Sequence, residues 1–382
     1  MVQLWGSSQT NEFWTSKQRA ANPLHEISYR ACFKPQLPSF FIKRYTQPGD
    51  VVYDPFMGRG TTLLEAALRG RKPIGCDINP LSRILIEPRF SLPTLDEIEA
   101  RLAEIDIDVD EVLEPEPLLA FYHPRTLGHI SALRAYFIRR ETAGTIDYVD
   151  RWIRMVATNR LTGHSPGFFS VYTMPPNQAV TAERQLVINA KRHQTPPIRD
   201  VKAIILKKSR ALLRNVDRQT VEILADLSTE SQLLTGSCTQ TPSIKSESVH
   251  LVVTSPPFLD IVDYRTDNWL RCWFNGIDSE TIPIWQIRSP HDWIAAMSRV
   301  FIELERVLVP GGHVAFEVGE IRGGRVLMET LVVEAASASG LQVDYIMVNQ
   351  QTFTKTANCW GVSNRRKGTN TNRIVVLHKP NC

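Results

Sequence analysis

The sequence predicts an α/β protein: a doubly wound sheet of about seven strands whose last pair is antiparallel, carrying a mostly helical insert. Three observations support this. Short apolar runs at Val51–Asp54, Lys72–Ile78 and Val249–Val253 each end in a polar, glycine-rich or proline-rich turn, the form of a buried parallel strand. Between Asn79-Pro80 and about Gln232 that pattern stops and helical periodicity takes over. Near the end, Leu341–Val348 and Asn372–Leu377 are strand-like and read as a reversed terminal pair.

Residues up to about Asn22 place Trp5, Phe13 and Trp14 among polar residues, and read either as a strapped-down arm or as disorder. His25–Tyr45 begins as a loop and becomes a helix, with Pro38 near its first turn. The strand Val51–Asp54 then runs into Pro55-Phe56-Met57-Gly58-Arg59-Gly60-Thr61-Thr62, and Leu63–Leu68 starts a helix capped by Thr61 or Thr62. Glycines Gly58 and Gly60 allow backbone to approach a ligand closely. A dinucleotide loop needs a third glycine further on and a phosphate loop needs Gly-Lys-Ser/Thr; neither is present. About twenty residues on, the next strand ends in Asp77, the place for an acid that accepts from ribose hydroxyls. The expected ligand is a nucleoside without a pyrophosphate, which fits S-adenosylmethionine.

In the insert, Leu95–Ile107, Thr126–Arg140, Ile146–Leu161 and Ile198–Leu227 have helical periodicity, with Pro196-Pro197 forcing a break before the last. From Phe121 to Thr220 there are 17 Lys/Arg and 6 Asp/Glu in a chain whose formal net charge is +4, so the excess base is concentrated here. A solvated helix face accounts for part of it, and a phosphate-binding surface that includes Arg192, Lys202, Lys207 and Lys208 accounts for the rest. The stretch Thr162–Gln178 is rich in glycine, proline and aromatics. In one reading His164, Phe168, Tyr172, Asn177 and Gln178 meet bases and phosphates; in the other the aromatics pack the loop onto the catalytic part. His164 by itself does not indicate a metal, and no metal is expected.

The sheet resumes at Leu233-Leu234-Thr235-Gly236-Ser237-Cys238. The strand Val249–Val253 then meets Thr254-Ser255-Pro256-Pro257-Phe258, where two prolines end the ladder and stiffen the turn. The bland reading is a turn closing a strand. Beside a cofactor site, the same residues suit a flat ring bearing an exocyclic amine. Ser255 Oγ and the Pro256 carbonyl accept the two amine hydrogens, the nitrogen pyramidalises, and Phe258 stacks on a base flipped out of its duplex. The basic run Arg365-Arg366-Lys367, between the last two strands, reads as a phosphate contact or a solvated turn.

With 43% hydrophobic and 22% charged residues, the composition is that of an ordinary soluble globular protein. No apolar run nears the roughly 20 residues a membrane helix needs, and no signal peptide is read. The six cysteines have no Cys-x-x-Cys spacing, which argues for a reducing cytoplasm and against a zinc site. None follows a proline, which disfavours ring-carbon methylation of cytosine through a Pro-Cys nucleophile.

Asp54-Pro-Phe-Met-Gly-Arg-Gly-Thr-Thr together with Thr254-Ser-Pro-Pro-Phe resembles the amino-methylating DNA methyltransferases of restriction-modification type, which form N4-methylcytosine or N6-methyladenine. The resemblance covers about the first ninety residues and the last hundred and fifty. It implies a Rossmann-like class I methyltransferase sheet, with residues 1–90 and 231–382 as the catalytic domain and 91–230 as a helical target-recognition insert. It also implies S-adenosylmethionine held by Tyr29, Phe33, Pro35, Asp54, Phe56, Gly58, Gly60, Thr61, Thr62, Asp77, Asn79, Ser237 and Cys238. Tyr29, Phe33 and Pro35 then line the methionine end, although an ordinary packed helix entry explains them equally. The family's usual acid for the adenine amine is replaced by Ser237. Catalysis is expected from Ser255, Pro256, Pro257 and Phe258. Serine in the first catalytic position points to N4 of cytosine; N6 of adenine and, in a related family, N2 of an RNA guanine are the alternatives. Expected partners are double-stranded DNA and, functionally but not physically, a cognate restriction endonuclease, with the chain a monomer or weak dimer.

Overall fold

The computed structural model describes residues 8–11, 21–29, 33–108, 116–174, 179–257, 259, 264–319, 326–350 and 371–381. One sheet of eight strands runs through it. From edge to edge these are β1 (Ser8–Asn11), β7 (Gln342–Gln350), β8 (Thr371–His378), β6 (Leu308–Gly319), β5 (Val249–Thr254), β2 (Val51–Asp54), β3 (Lys72–Asp77) and β4 (Gln232–Thr235). Strand β8 is antiparallel to both β6 and β7, and every other pair is parallel. The expected sheet with its reversed terminal pair is therefore present, and the N-terminal arm adds an eighth strand by pairing Ser8–Asn11 with Ile346–Asn349.

Strand β2 lies between β3 and β5, so the chain winds one way through β3 and β4 and the other way through β5 and β6. That reversal opens a crevice at the carboxyl ends of β2 and β5, the place where open α/β sheets bind ligands. The period-2 alternation of the strands separates two apolar faces. Val52, Leu251, Val253, Ala315, Ile374 and Val376 pack against Leu37, Phe41 and Ile42 of α1 (Gln36–Tyr45). Tyr53, Val252, Val314, Phe316 and Val375 face α11 (Pro290–Val307) and α12 (Met328–Ala336), meeting Met297, Phe301 and Val332. Each such fully buried side chain contributes roughly 1.5–3 kcal/mol.

The insert comprises α4 (Leu95–Glu104), α5 (Pro124–Thr142), α6 (Tyr148–Thr158), α7 (Ala182–Arg192), α8 (Val201–Leu213) and α9 (Arg218–Glu230). A single apolar cluster runs from Leu63 and Leu64 of α2 (Thr61–Ala67) and Leu81 and Leu85 of α3 (Leu81–Ile86) into Ile130, Trp152 and Ile205. It continues to Leu270 and Phe274 of α10 (Tyr264–Phe274), so the insert shares its core with the sheet's own helices. The expected long helix Ile198–Leu227 is two helices, because the Asp217 carboxylate accepts from the Thr220 amide and starts α9 afresh. The threonine cap expected for α2 is also corrected. Gly60, left-handed at φ 74, is the N-cap residue with no side-chain cap, and the Thr62 hydroxyl instead donates to the Val253 carbonyl at 3.0 Å. Among the described residues no helix is long and apolar enough to cross a membrane.

Candidate active site

A cavity of about 310 Å³ lies at the ends of β2, β3 and β5. The loop after β2 supplies Asp54, Phe56, Met57, Gly58 and Thr61; the end of β3 supplies Asp77, Ile78 and Asn79; the loop after β4 supplies Gly236, Ser237 and Cys238. Ser255 and Pro257 come from the end of β5, Tyr29 and Phe33 from the segment before α1, and Pro283, Ile284 and Trp285 from between α10 and α11. Among the described residues no lysine or arginine lines it, and its ionisable acids are Asp54 and Asp77.

Backbone donors and buried acids hold the glycine loop in place. The Gly58 amide donates to Asp77 Oδ2 at 2.9 Å and the Asn79 amide to Oδ1 at 2.8 Å, so both oxygens are fixed in orientation. Gly58 itself has φ 48, a left-handed conformation that a β-branched residue resists. Gly60 serves packing: a Cβ there would come within 2.5 Å of Ile86 Cγ1, and it does not line the cavity. Asp54 is buried and ties the loop to the end of β5, accepting from the Thr254 hydroxyl at 2.6 Å and the Phe56 amide at 3.1 Å. Burial outweighs those hydrogen bonds and pushes its carboxyl up to about 7.

Just past β5, Ser255 is half-buried and lines the cavity. The buried carboxyl of Glu317 on β6, whose neighbour Phe316 is in register with Thr254, lies close enough to Ser255 for the serine side chain to favour its ionised form. Burial pushes Glu317 up to about 7. The Pro257 carbonyl is engaged by the indole N–H of buried Trp293 at 3.0 Å, which clamps the turn onto α11. Pro256 is buried, and its carbonyl has no hydrogen-bond partner among the described residues. Phe258 lies outside the described residues.

The structure thus gathers Tyr29, Phe33, Asp54, Phe56, Gly58, Thr61, Asp77, Asn79, Ser237, Cys238, Ser255 and Pro257 around one space. Pro35 precedes α1 as its N-cap residue, and it stands off the cavity with Gly60, Thr62 and Pro256. Ser237 Oγ pairs with Thr239 Oγ1 at 2.8 Å. Beyond neighbours such as Met57, Ile78 and Pro283, the contributors missed include Glu317 and Trp285. Glu317 is a lone acid in the apolar run Val314–Val318, a signal that the sequence did offer. Trp285, edge-on to Phe56 with ring centroids 6.2 Å apart, sits in an irregular segment that no periodicity marks.

The expected nucleic-acid residues differ in exposure. His164 is exposed, Phe168 is buried under the Arg160 guanidinium at 4.1 Å, and Arg192 lies 3.7 Å over the Tyr172 ring. Lys207 is exposed, Lys202 is half-buried about 140° around α8 from it, and Lys208 pairs with Glu26 at 3.0 Å. Asn177, Gln178, Arg365 and Arg366 lie outside the described residues.

Strand order, reversal point and cavity together define the class: a Rossmann-like class I methyltransferase sheet. Residues 4–84 match a family model of N6/N4 methyltransferases described as DNA methylase. The type II methyltransferase M.BsoBI of Geobacillus stearothermophilus is 24% identical over 285 residues, 67% of this chain and 53% of that protein. The type II methyltransferase M.MjaII of Methanocaldococcus jannaschii is 38% identical over 76 residues, 20% of this chain and 14% of that protein. Of these relatives, the chain thus spans about half the length of the first and a smaller part of the second. Among solved structures, TrmN from Thermus thermophilus aligns at 13% identity over 92% of this chain and 50% of that one, with a TM-score of 0.34.

Proposed function

We propose that the chain is an S-adenosylmethionine-dependent DNA methyltransferase that methylates the exocyclic N4 amine of a flipped-out cytosine. The observation that carries this reading is that Ser255 opens into the same cavity as Asp77 and the glycine loop. The cavity's chemistry fits the cofactor: a lining that holds acids and, among the described residues, no basic side chain offers nothing to neutralise a pyrophosphate and suits a nucleoside without one. Tyr29 and Phe33 supply apolar wall for the remainder of the cofactor. The match of residues 4–84 to the DNA methylase model and the type II methyltransferase relatives support DNA as substrate.

When bound, S-adenosylmethionine supplies an electrophilic methyl group. Asp77, its oxygens already oriented by the Gly58 and Asn79 amides, offers its remaining lone pairs to the ribose hydroxyls. The Glu317 carboxyl beside Ser255 would, when ionised, accept a hydrogen bond from its hydroxyl, leaving the oxygen's lone pairs to accept one amine hydrogen. The Pro256 carbonyl accepts the other. With both hydrogens held, the amine lone pair would localise on nitrogen, poised for a direct displacement in which the N–C bond forms as the S–C bond breaks, S-adenosylhomocysteine leaves and the amine's surplus proton goes to solvent; no covalent enzyme intermediate is required. Trp285 and Phe56 supply aromatic wall for the ring. The choice of N4 rests on serine in the first catalytic position. A cognate endonuclease is the functional partner this reading implies.

Ser255→Ala tests the assignment. Removal of one of two preorganised acceptors is expected to lower the single-turnover rate on duplex DNA by about 10²- to 10³-fold. Cofactor affinity, measured by calorimetry, should stay the same. A wild-type rate in the variant would reduce the motif to a turn.

A further inference from the structure

Beyond the cavity, on the other side of Tyr29, lies an open cleft lined by Glu26, Ile27, Ser28, Arg59, Arg160 and Lys208. Arg160 is its unusual member. Only 9% of the residue is exposed, its Nε is buried without a hydrogen-bond partner, and no hydrogen bond to its guanidinium is found among the described residues. One face rests 4.1 Å from the Phe168 ring centroid, which positions the group but satisfies none of its five N–H donors. An unpaired buried cation is costly, and here desolvation holds Arg160 well below the ordinary arginine range, at about 10.

The neighbouring cations leave the local charge unbalanced. Lys208 pairs with Glu26 at 3.0 Å, and Glu26 is the only carboxylate among the residues lining the cleft. Arg59 is anchored by donation to the Ile27 carbonyl at 2.7 Å and to Thr61 Oγ1 at 3.2 Å, which leaves its other terminal nitrogen uncommitted. Buried Arg89 fixes the loop from behind by donating to the carbonyls of Leu24 and Arg59. Three cations therefore face one acid on a rigid frame, and the group they lack is an oxyanion.

We propose that this cleft binds a backbone phosphodiester of the nucleic acid, next to the nucleotide whose base enters the cavity, with Arg160 as the principal donor. The proposal rests on the nucleic-acid reading above, and Tyr29, which walls both spaces, is the structural link between them. Arginine suits the role because its planar fork presents paired donors to phosphate oxygens.

The test is the salt dependence of duplex binding by fluorescence anisotropy, with S-adenosylmethionine affinity measured in parallel by calorimetry. Arg160→Gln, and independently Lys208→Gln, should each weaken duplex binding severalfold or more. The log–log salt slope should fall by about 0.9 for each phosphate that the variant no longer neutralises. Cofactor affinity should not change, and Arg160→Lys should restore part of the binding. An unchanged slope in folded variants overturns the proposal. So does weakened cofactor binding, which would make the anion the cofactor's own carboxylate. If wild type binds no nucleic acid, the functional reading and the phosphodiester proposal both fall. Protection of wild type by inorganic phosphate against thermal unfolding, abolished in Arg160→Gln, would then show that the cleft is an anion site for a free phosphate.

Discussion

Two concave sites share Tyr29 as a lining residue and differ in the sign of the charged groups around them. At the strand ends, Asp54 and Asp77 are the acids of a cavity that no described lysine or arginine lines. On the other side, Arg59, Arg160 and Lys208 face Glu26 alone. The contrast follows from how each site is built. The cavity takes its shape from strand ends and a glycine turn, so backbone amides orient its carboxylates. The cleft is assembled from the insert, whose helices bring cations to a loop of the sheet. A sulfonium nucleoside suits the first and a phosphate suits the second, and neither suits the other.

The comparison can be broken from the cavity side. Gly58→Val should abolish cofactor binding, because valine resists φ 48 and its side chain occupies the wall of the cavity. Duplex affinity through the cleft should persist. Calorimetry and anisotropy on the same folded sample check this, and retained cofactor binding would mean that the loop does not hold the ligand. A smaller effect is expected of Asp77→Ala, which removes a charged acceptor from the ribose hydroxyls. Each such hydrogen bond contributes about 1.5–3 kcal/mol, so the loss of one should lower affinity roughly ten- to hundredfold and the loss of both should lower it further, while the salt slope of DNA binding stays fixed.

Much of the cavity was legible in the sequence because its residues lie at strand ends, where pattern and position coincide. Asp54, Asp77 and Ser255 each close an apolar run, and the fold brings all three to one edge. The cleft was not legible in this way. Arg160 follows a helix, Lys208 lies within one, and Arg59 stands in a glycine turn, so no spacing links them; only packing of the insert against α2 and α3 does. Lys208 was expected on a basic surface, yet Glu26 and the cleft define its surroundings. The reason that α8 and α9 part at Asp217 is equally local, a capping carboxylate inside an otherwise continuous apolar period.

The smallest expected effect sharpens the role of Glu317. Its carboxyl is held at about 7 in the folded protein against an ordinary value of 4.5, so the native state binds the proton more tightly than the unfolded chain. Its contribution to stability is therefore greatest below about 4.5 and is lost as pH rises through about 7. Glu317→Gln should remove that part of the slope in denaturation curves measured across this range. On the proposed mechanism the ionised form would orient the Ser255 hydroxyl, so the wild-type single-turnover rate should rise through about pH 7 and the glutamine variant should flatten the profile. An unchanged profile would detach Glu317 from Ser255.

The central claim, that a cavity with Ser255 at its edge methylates a cytosine amine, is tested most directly by product identity. Duplex DNA is incubated with the protein and S-adenosylmethionine and digested to nucleosides, which are then separated by chromatography with mass detection, resolving N4- from C5-methylcytosine. The account predicts N4-methylcytosine with wild type and its loss with Ser255→Ala. N6-methyladenine or C5-methylcytosine as the sole product, or N4-methylcytosine formed equally well by the alanine variant, would contradict it.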